Sequence, residues 1–554
     1  MPRMTGNRFI AETLTGYGVS HVFFMPAGTY NILAEMEDLG VKRILVHSEK
    51  AAAYMADGYA RASGRPGVCM SQAAPGANNL AAGLGDPYCG VSPVIAITSA
   101  RSARERYRHA YQELDQMPFF DPVTKFNVTV DRLDRIPDLL RQAFRSATTG
   151  SPRPVHLDIH TEAANQEGDL DVVIEQPFTR YPAFRPEPEM DRVRQAVRVL
   201  REAERPVIVA GGGVISSEAW DEVVQLAEAL SIPVATSLNG KGAIPGKHPL
   251  SLGVCGLYSR PCANQVVCSA DLVLFIGSQA GGQVTNNWTV PPQGTRVIQI
   301  DVEPAELGRN YPNTVALLGD AKVTLRRLID EARGGPRKER WAREAREAVD
   351  AWRDEVEPLR NSDAMPIRPE RLCKEVEEFL PEDSLFLSCT GHSGIWTGTL
   401  VDLKRAGRTF LRAAGSLGWA LPAAMGAKCA VPDRPVVCFT GDGGFWYHLS
   451  ELETAVRYGI NTVTIVNNNS GMTQETGGIT RAFKGNPPEG AFSLMNFNSV
   501  NLAKLAEDMG CFGVRVESPE EIRPALDAAL AAGRPALVDV VTDPKVLPPP
   551  PWVP

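Results

Sequence analysis

Gly441-Asp442-Gly443-Gly444 separates an apolar run from an amphipathic one, and Asn467-Asn468-Asn469 closes the next apolar run. A carboxylate and an amide oxygen are hard ligands. They suit Mg²⁺, which takes about six oxygens and usually shares them with a substrate phosphate. Glycines at 441, 443 and 444 let the backbone approach a ligand closely. The N–H groups opening the following helix form a ready phosphate site. Residues of these types at this spacing can hold a diphosphate through a metal. A Gly-Asp turn alone would be ordinary structure; its conjunction with the Asn run on one βαβ unit points to a site.

That conjunction rests on the elements around it. PVVCFT (435–440) predicts a buried strand. FWYHLSELETAVRYG predicts a single helix with Phe445, Leu449, Leu452 and Val456 on one face, stopped by Gly459. TVTIV (462–466) predicts the neighbouring parallel strand. Asp442 and the Asn run then share the carboxyl edge, where open α/β sheets bind ligands. The same strand, Gly-rich turn and helix recur along the chain, which predicts the α/β class with three doubly wound parallel-sheet domains. Two composition shifts mark linkers: a polar, Pro-rich stretch at 163–190 and a strongly charged one at 334–368, the latter expected to be a solvated helix. The domains expected are 1–165, 190–333 and 368–543. ADGYARASGRPGVCMSQAAPG in the first and ALPAAMGAKCAVPDRPVVCFTGDGG in the third echo each other as related units. The tail at 546–554 (VLPPPPWVP) should be extended.

Composition bounds the function. The 554 residues are 44% hydrophobic and 22% charged, an ordinary globular balance. A net charge of −8 argues against nucleic acid or an anionic membrane as the main partner. No apolar run is long enough to span a bilayer, and the N-terminus reads as the start of a helix, not a signal peptide. Ten cysteines without a CxxC pair fit buried, reduced thiols in a cytoplasmic protein.

GDGGF, ELETAVRYG and NNN together resemble the thiamine-diphosphate (ThDP) motif of the acetolactate synthase-like enzymes. The resemblance implies metal ligation by Asp442, Asn469 and the carbonyl of Gly471, with Asn468 the alternative in the Asn run. Gly441, Gly443, Gly444 and Met472 would contact the cofactor. HSEKAAAYMADGYARASGRPGVC resembles the family's segment around its activating glutamate, here Glu49, which would meet the aminopyrimidine ring. APGANNLAAGL resembles the family's Gly-Pro-Gly loop, with Ala74 in place of a Gly. AYQELDQMPFFDPVTKFN places Gln112 near the reacting centre, where it would orient the substrate. GSLGWALPAAMGA puts Leu417 where the family has an apolar residue beneath the bent cofactor, a proximity effect. RPVIVAGGGVI and IDVEPAELGRN look like the family's central domain. The three domains would then be pyrimidine-binding, central and diphosphate-binding. Sites would lie at the interface of a homodimer or homotetramer.

The resemblance implies ThDP and Mg²⁺ as cofactors and a carboligase or decarboxylase, a transferase or lyase acting on 2-oxo acids next to the carbonyl. Departures from the family pattern limit this. Only His109 lies near Gln112, so the His pair of simple decarboxylases is missing. GMTQETGGITRAF after the Asn run lacks the Trp that selects the second ketoacid in acetolactate synthases; Glu475 there is an unassigned acid. GSQAGGQVTNNW stands where FAD-binding members carry arginines, leaving FAD, ADP or no ligand open. One rival is a 2-hydroxyacyl-CoA lyase or oxalyl-CoA decarboxylase, with RSARERYR (101–108) meeting the CoA phosphates and Lys545 the only cation in the tail. Another, from a different class, is a non-catalytic nucleotide-binding regulatory protein.

Overall fold

The computed structural model describes residues 2–26, 28–102 and 104–554. Apolar, fully buried runs such as VIAITSA and PVIVA become the strands of three six-stranded parallel sheets. The first contains β1 (His21–Phe24), β2 (Lys42–Leu45), β3 (Gly67–Ser71), β4 (Val94–Ala100), β5 (Phe126–Val130) and β6 (Val155–His160), in the order β2-β1-β3-β4-β6-β5. The second contains β7 (Pro206–Ala210), β8 (Val234–Thr236), β9 (Ser251–Val254), β10 (Leu272–Ile276), β11 (Arg296–Asp301) and β12 (Val315–Leu318), ordered β9-β8-β7-β10-β11-β12. The third contains β13 (Leu385–Ser388), β14 (Phe410–Arg412), β15 (Val436–Gly441), β16 (Val463–Asn468), β17 (Phe512–Val516) and β18 (Ala536–Val541), ordered β14-β13-β15-β16-β18-β17. The first and third sheets thus wind identically, which the short sequence echo anticipated. The central sheet reverses direction between β7 and β10, the crevice where doubly wound sheets take ligands.

Seven helices position the functional residues: α1 (Glu49–Ser63), α2 (Pro75–Cys89), α3 (Glu339–Arg360), α4 (His392–Leu400), α5 (Ala420–Ala430), α6 (Asp442–Trp446) and α7 (Glu451–Tyr458). Helix α1 starts where the Ser48 hydroxyl accepts from the Ala51 N–H at 3.1 Å, and stops at Gly64, whose φ of 73° suits glycine. Its inner face is almost all alanine and glycine, and so is that of α5. The two helices meet backbone to backbone. A Cβ on Gly58 would strike the Ala423 carbonyl, and one on Gly426 the Met55 carbonyl. Trp419 Nε1 adds a 2.7 Å bond to Asp57 Oδ2 across the seam. First and third domains therefore share a core in which Ala52 and Met55 pack with Leu421 and Met425.

Three expectations need correction. The 334–368 segment does hold a helix, α3, but it is not simply solvated. Trp341, Ala345, Val349 and Trp352 bury one stripe against the main core, and Trp341 Nε1 bonds the Pro206 carbonyl at 3.0 Å. The high charge of the segment hid a stripe at helical spacing. The single helix expected after Gly444 is two, α6 and α7, broken at 447–450 so that His448 can bury edge-on to the Tyr54 ring. The N-terminal helix, Gly6–Gly16, is preceded by a strand, Arg3–Thr5, that pairs antiparallel with Glu167–Asp169 inside the supposed linker. The tail at 546–554 is extended, with Asn264 Nδ2 donating to the Trp552 carbonyl at 3.0 Å. All ten cysteines are free thiols, and no helix among the described residues is long and apolar enough to cross a membrane.

Candidate functional site

Strands β15 and β16 are parallel neighbours, with Gly441 in register with Asn467. The chain leaves β15 at Asp442, the first residue of α6, and leaves β16 through Asn468 into the 469–474 loop. Asp442 is 2% exposed. It accepts from the Gly471 N–H at 2.9 Å, with the N–H groups of Gly443 and Asn469 also turned toward it. Among the described residues no basic side chain forms an ion pair with it, and desolvation pushes its carboxyl up to about 7. A bound cation would reverse that effect.

The Asn run divides its labour. Asn467 Oδ1 accepts from Thr542 Oγ1 at 2.7 Å. Asn468 Nδ2 donates to Asp539 at 2.7 Å, and its Oδ1 accepts from the Ser470 N–H. Asn469 Nδ2 donates to Thr473 Oγ1 at 3.1 Å, while its Oδ1 is buried without a hydrogen-bond partner. An orphaned buried acceptor is costly unless something absent from the chain fills it. Asn469 therefore has a free oxygen, whereas Asn467 and Asn468 are engaged. Among the described residues no group of three or more His, Cys, Asp or Glu is placed to hold a metal ion. The Asp442, Asn469 and Gly471 oxygens are too few to complete a Mg²⁺ shell, so a phosphate would have to contribute. The residues fit a metal-bridged diphosphate.

An open cleft of about 690 Å³ adjoins this edge, lined by Gly443, Met472 and Trp446 and walled by Phe497 and Val500. Its apolar wall contains no residue of 473–483, the stretch that lacks Trp. Glu475 is exposed. Gly444 leaves no room for a side chain, and Gly443 leaves little. A Cβ on Gly444 would lie 2.9 Å from both Cys389 Sγ and Thr440 Oγ1, and one on Gly443 3.2 Å from Met472 Cγ. Leu417 is half-buried in the turn before Gly418, whose φ is 84°.

Sequence reasoning missed a third contributor. Helix α4 follows β13 and opens at the same edge, with Ser393 Oγ 3.2 Å from where a Gly441 Cβ would stand. His392 Nδ1 lies 3.1 Å from Thr473 Oγ1, and burial lowers the His392 pKa to about 4, keeping it neutral near pH 7. The signal available was a second Gly-containing turn, TGHSG, after an apolar strand. The far end of α4 is held by the central domain. Lys241 Nζ donates to the carbonyls of Thr397 and Gly398 at 2.7 and 2.8 Å, and Arg260 Nε to that of Thr399 at 2.7 Å. These donors satisfy its orphan carbonyls, and the Arg260 charge complements the helix dipole, while burial lowers the Lys241 ammonium to about 7.

Glu49, Gln72 and Gln112 assemble in the first domain. Glu49 heads α1 and is 7% exposed. Asn79 Nδ2 donates to its Oε2 at 3.1 Å, and a Cβ on Gly76 would lie 3.0 Å from Oε1. Gln112 Nε2 donates to Gln72 Oε1 at 2.9 Å from a residue with φ of 60°. Among the described residues no hydrogen bond or ion pair joins this cluster to Asp442 or Asn469 within one chain. Ala74 opens α2 at φ 51° and ψ −109°, a conformation natural to glycine, and is held by its N–H donating to Gln116 Oε1 at 2.7 Å. Such backbone costs about 1–3 kcal/mol for an L-residue. Ala74→Gly should therefore raise unfolding stability by about 1 kcal/mol after glycine's own entropic cost, read as a higher denaturation midpoint.

A second cavity, about 410 Å³, lies at the switch point of the central sheet, where Gly212, Gly213 and Asp301 face Arg408 and Arg412. The arginines absent from GSQAGGQVTNNW are supplied here by the third domain. Arg412 Nε bonds Asn239 Oδ1 at 2.8 Å, Nη2 bonds Gln283, and the buried Nη1 has no partner.

Comparison with known proteins agrees with this geometry. Residues 4–119 match the thiamine pyrophosphate enzyme N-terminal TPP binding domain, 193–328 the central domain and 390–540 the C-terminal TPP binding domain. The chain belongs to the thiamine pyrophosphate enzymes and is a ThDP-dependent enzyme of the α/β class. Within that family it resembles acetolactate synthases over nearly its whole length. The probable acetolactate synthase large subunit of Methanocaldococcus jannaschii is 34% identical over 98% of this chain and 92% of its own. The large subunits of Corynebacterium glutamicum and Haemophilus influenzae are 31% and 30% identical, over 97% and 96% of this chain and 87% and 93% of theirs.

Proposed function

We propose that the enzyme uses ThDP and Mg²⁺ to join or cleave 2-oxo acids next to the carbonyl, as an acetolactate synthase-like carboligase. The observation that carries this reading is the pairing of a buried, uncompensated Asp442 carboxylate with the orphaned Asn469 Oδ1 at one sheet edge. Asp442, Asn469 and the Gly471 carbonyl would hold the metal. The backbone at Gly441, Gly443 and Gly444 would approach the diphosphate, with Leu417 and Met472 packing against the cofactor. Glu49 would come from a second copy of the chain, because among the described residues its side chain bonds only to Asn79 and not to the Asp442 edge. It would hold or pass a proton at the aminopyrimidine ring, and Gln112 would orient the substrate. The bound cofactor supplies the electron sink for the bond change. The proposed assembly is a homodimer or homotetramer in the cytoplasm. The central cavity suits the diphosphate of FAD or ADP at Arg412.

A CoA thioester is less well served. Lys545 remains the only cation of the tail. In 101–108, where Ala103 lies outside the described residues, Arg104 is exposed and only loosely paired with Glu162 at 3.6 Å, so that run keeps free cations while the tail has only the one. The test incubates the protein with ThDP, Mg²⁺ and pyruvate, with and without FAD, beside panels of other 2-oxo acids, aldehydes and hydroxyacyl-CoAs. Products are identified by mass. Two pyruvates giving acetolactate and CO₂, dependent on ThDP and Mg²⁺, is the expected result; a product only from an acyl-CoA, or no ThDP binding, refutes the reading.

A further inference from the structure

We propose that Asp86 is a positioning residue for the cofactor site, fixing from the first domain the third-domain loop that carries Leu417. The loop runs from the end of β14 to the start of α5. Three successive backbone N–H groups in it converge on one carboxylate: Ala414 donates to Asp86 Oδ1 at 2.9 Å, and Gly415 and Ser416 to Oδ2 at 3.1 and 2.8 Å. Leu417 is the next residue.

Successive N–H groups turned to one side form an anion-binding concavity. Here its occupant is a side chain of the same molecule. Asp86 is 2% exposed and no Lys or Arg forms an ion pair with it among the described residues. A buried carboxylate so placed depends on those N–H groups for solvation, and they on it. Burial holds the middle of the loop weakly, since Gly415 is exposed and Ser416 and Leu417 are only half-buried. Asp86 itself cannot drift. It lies near the end of α2, and α2 packs on α1, where a Cβ on Gly83 would fall 2.7 Å from Ala53 Cβ. The seam of α1 with α5 then anchors the other end of the loop. The chain thus closes a circuit from α2 through the carboxylate to the loop, into α5 and back through α1.

The inference rests on the proposed role of Leu417 beneath the cofactor. Asp86→Asn keeps the size of the side chain but turns an N–H₂ toward at least one loop N–H. Calorimetry of the full-length protein with ThDP and Mg²⁺ should show at least a 10-fold weaker ThDP affinity. Turnover at saturating ThDP should fall by a similar factor, with the KM for the 2-oxo acid unchanged. Hydrogen exchange of the 413–419 segment should be slow in the wild type and at least 10-fold faster in the variant. Trp341→Phe, which removes the bond from α3 to the Pro206 carbonyl outside this circuit, serves as the structural control. It should lower the melting temperature and leave ThDP affinity intact.

If Asp86→Asn does not fold, Asp86→Glu carries the same measurements, because the longer side chain cannot keep all three contacts in place. Unchanged ThDP affinity and turnover in a folded Asp86 variant would overturn the proposal. So would equal loss of affinity in Trp341→Phe. Failure of the wild type to bind ThDP would refute the functional reading instead. The exchange comparison would still decide whether Asp86 anchors the loop.

Discussion

Glu49→Gln should bind ThDP and Mg²⁺ within a few-fold of wild type and lose about 10²–10⁴ of its turnover, the range for removing a positioned acid–base group. The substitution is nearly isosteric. Ser48 still caps α1, and the amide oxygen can still accept from Asn79. What disappears is a proton that can be shared with a ring nitrogen. Glu49 is buried in the first turn of α1, where the helix dipole favours a carboxylate, and among the described residues no basic side chain pairs with it. Steady-state turnover beside calorimetric ThDP binding separates the outcomes. Wild-type turnover would remove Glu49 from the chemistry, and loss of binding with turnover would make it a structural residue.

Asp442→Ala should weaken ThDP–Mg²⁺ retention by about 100-fold, or about 3 kcal/mol. Asn469 and the Gly471 carbonyl are neutral donors, so Asp442 is the only protein charge in the set. Asn469→Ala should cost less, about 10-fold, since it removes one neutral oxygen. Burial raises the Asp442 carboxyl from its ordinary value of 3.8 to about 7, so the metal-free protein loses stability as the pH rises between those two values and carries the full penalty above them. The metal-free Asp442→Ala protein at pH 8 should then be no less stable than wild type. Calorimetry with a parallel thermal melt tests both halves. Full cofactor retention by Asp442→Ala would mean the metal sits elsewhere.

Much of this was legible in the amino-acid sequence because local chemistry and long-range placement coincided. A Gly-Asp turn between two apolar runs and an Asn run after the second fix each other at one sheet edge whatever the rest of the chain does. The residues that were not legible act across domains. Asp86 looks like any helical acid until the loop at 414–416 folds onto it. Lys241 and Arg260 read as surface cations until α4 places its carbonyls against them. Arg412 lies far in sequence from the central glycines it faces. The apolar stripe of α3 was outnumbered by its charges, and α6 and α7 looked continuous because the turn at 447–450 is held by contacts to the first domain.

The glycine-lined crossing of α1 and α5 has an evolutionary consequence. Neither Gly58 nor Gly426 can accept a side chain without prying two backbones apart, so these positions should be nearly immutable across descendants of this protein. Residues 473–499 lie outside the shared core that holds this crossing, so ordinary mutation can reshape the surface beside the cleft without disturbing the junction of the two domains.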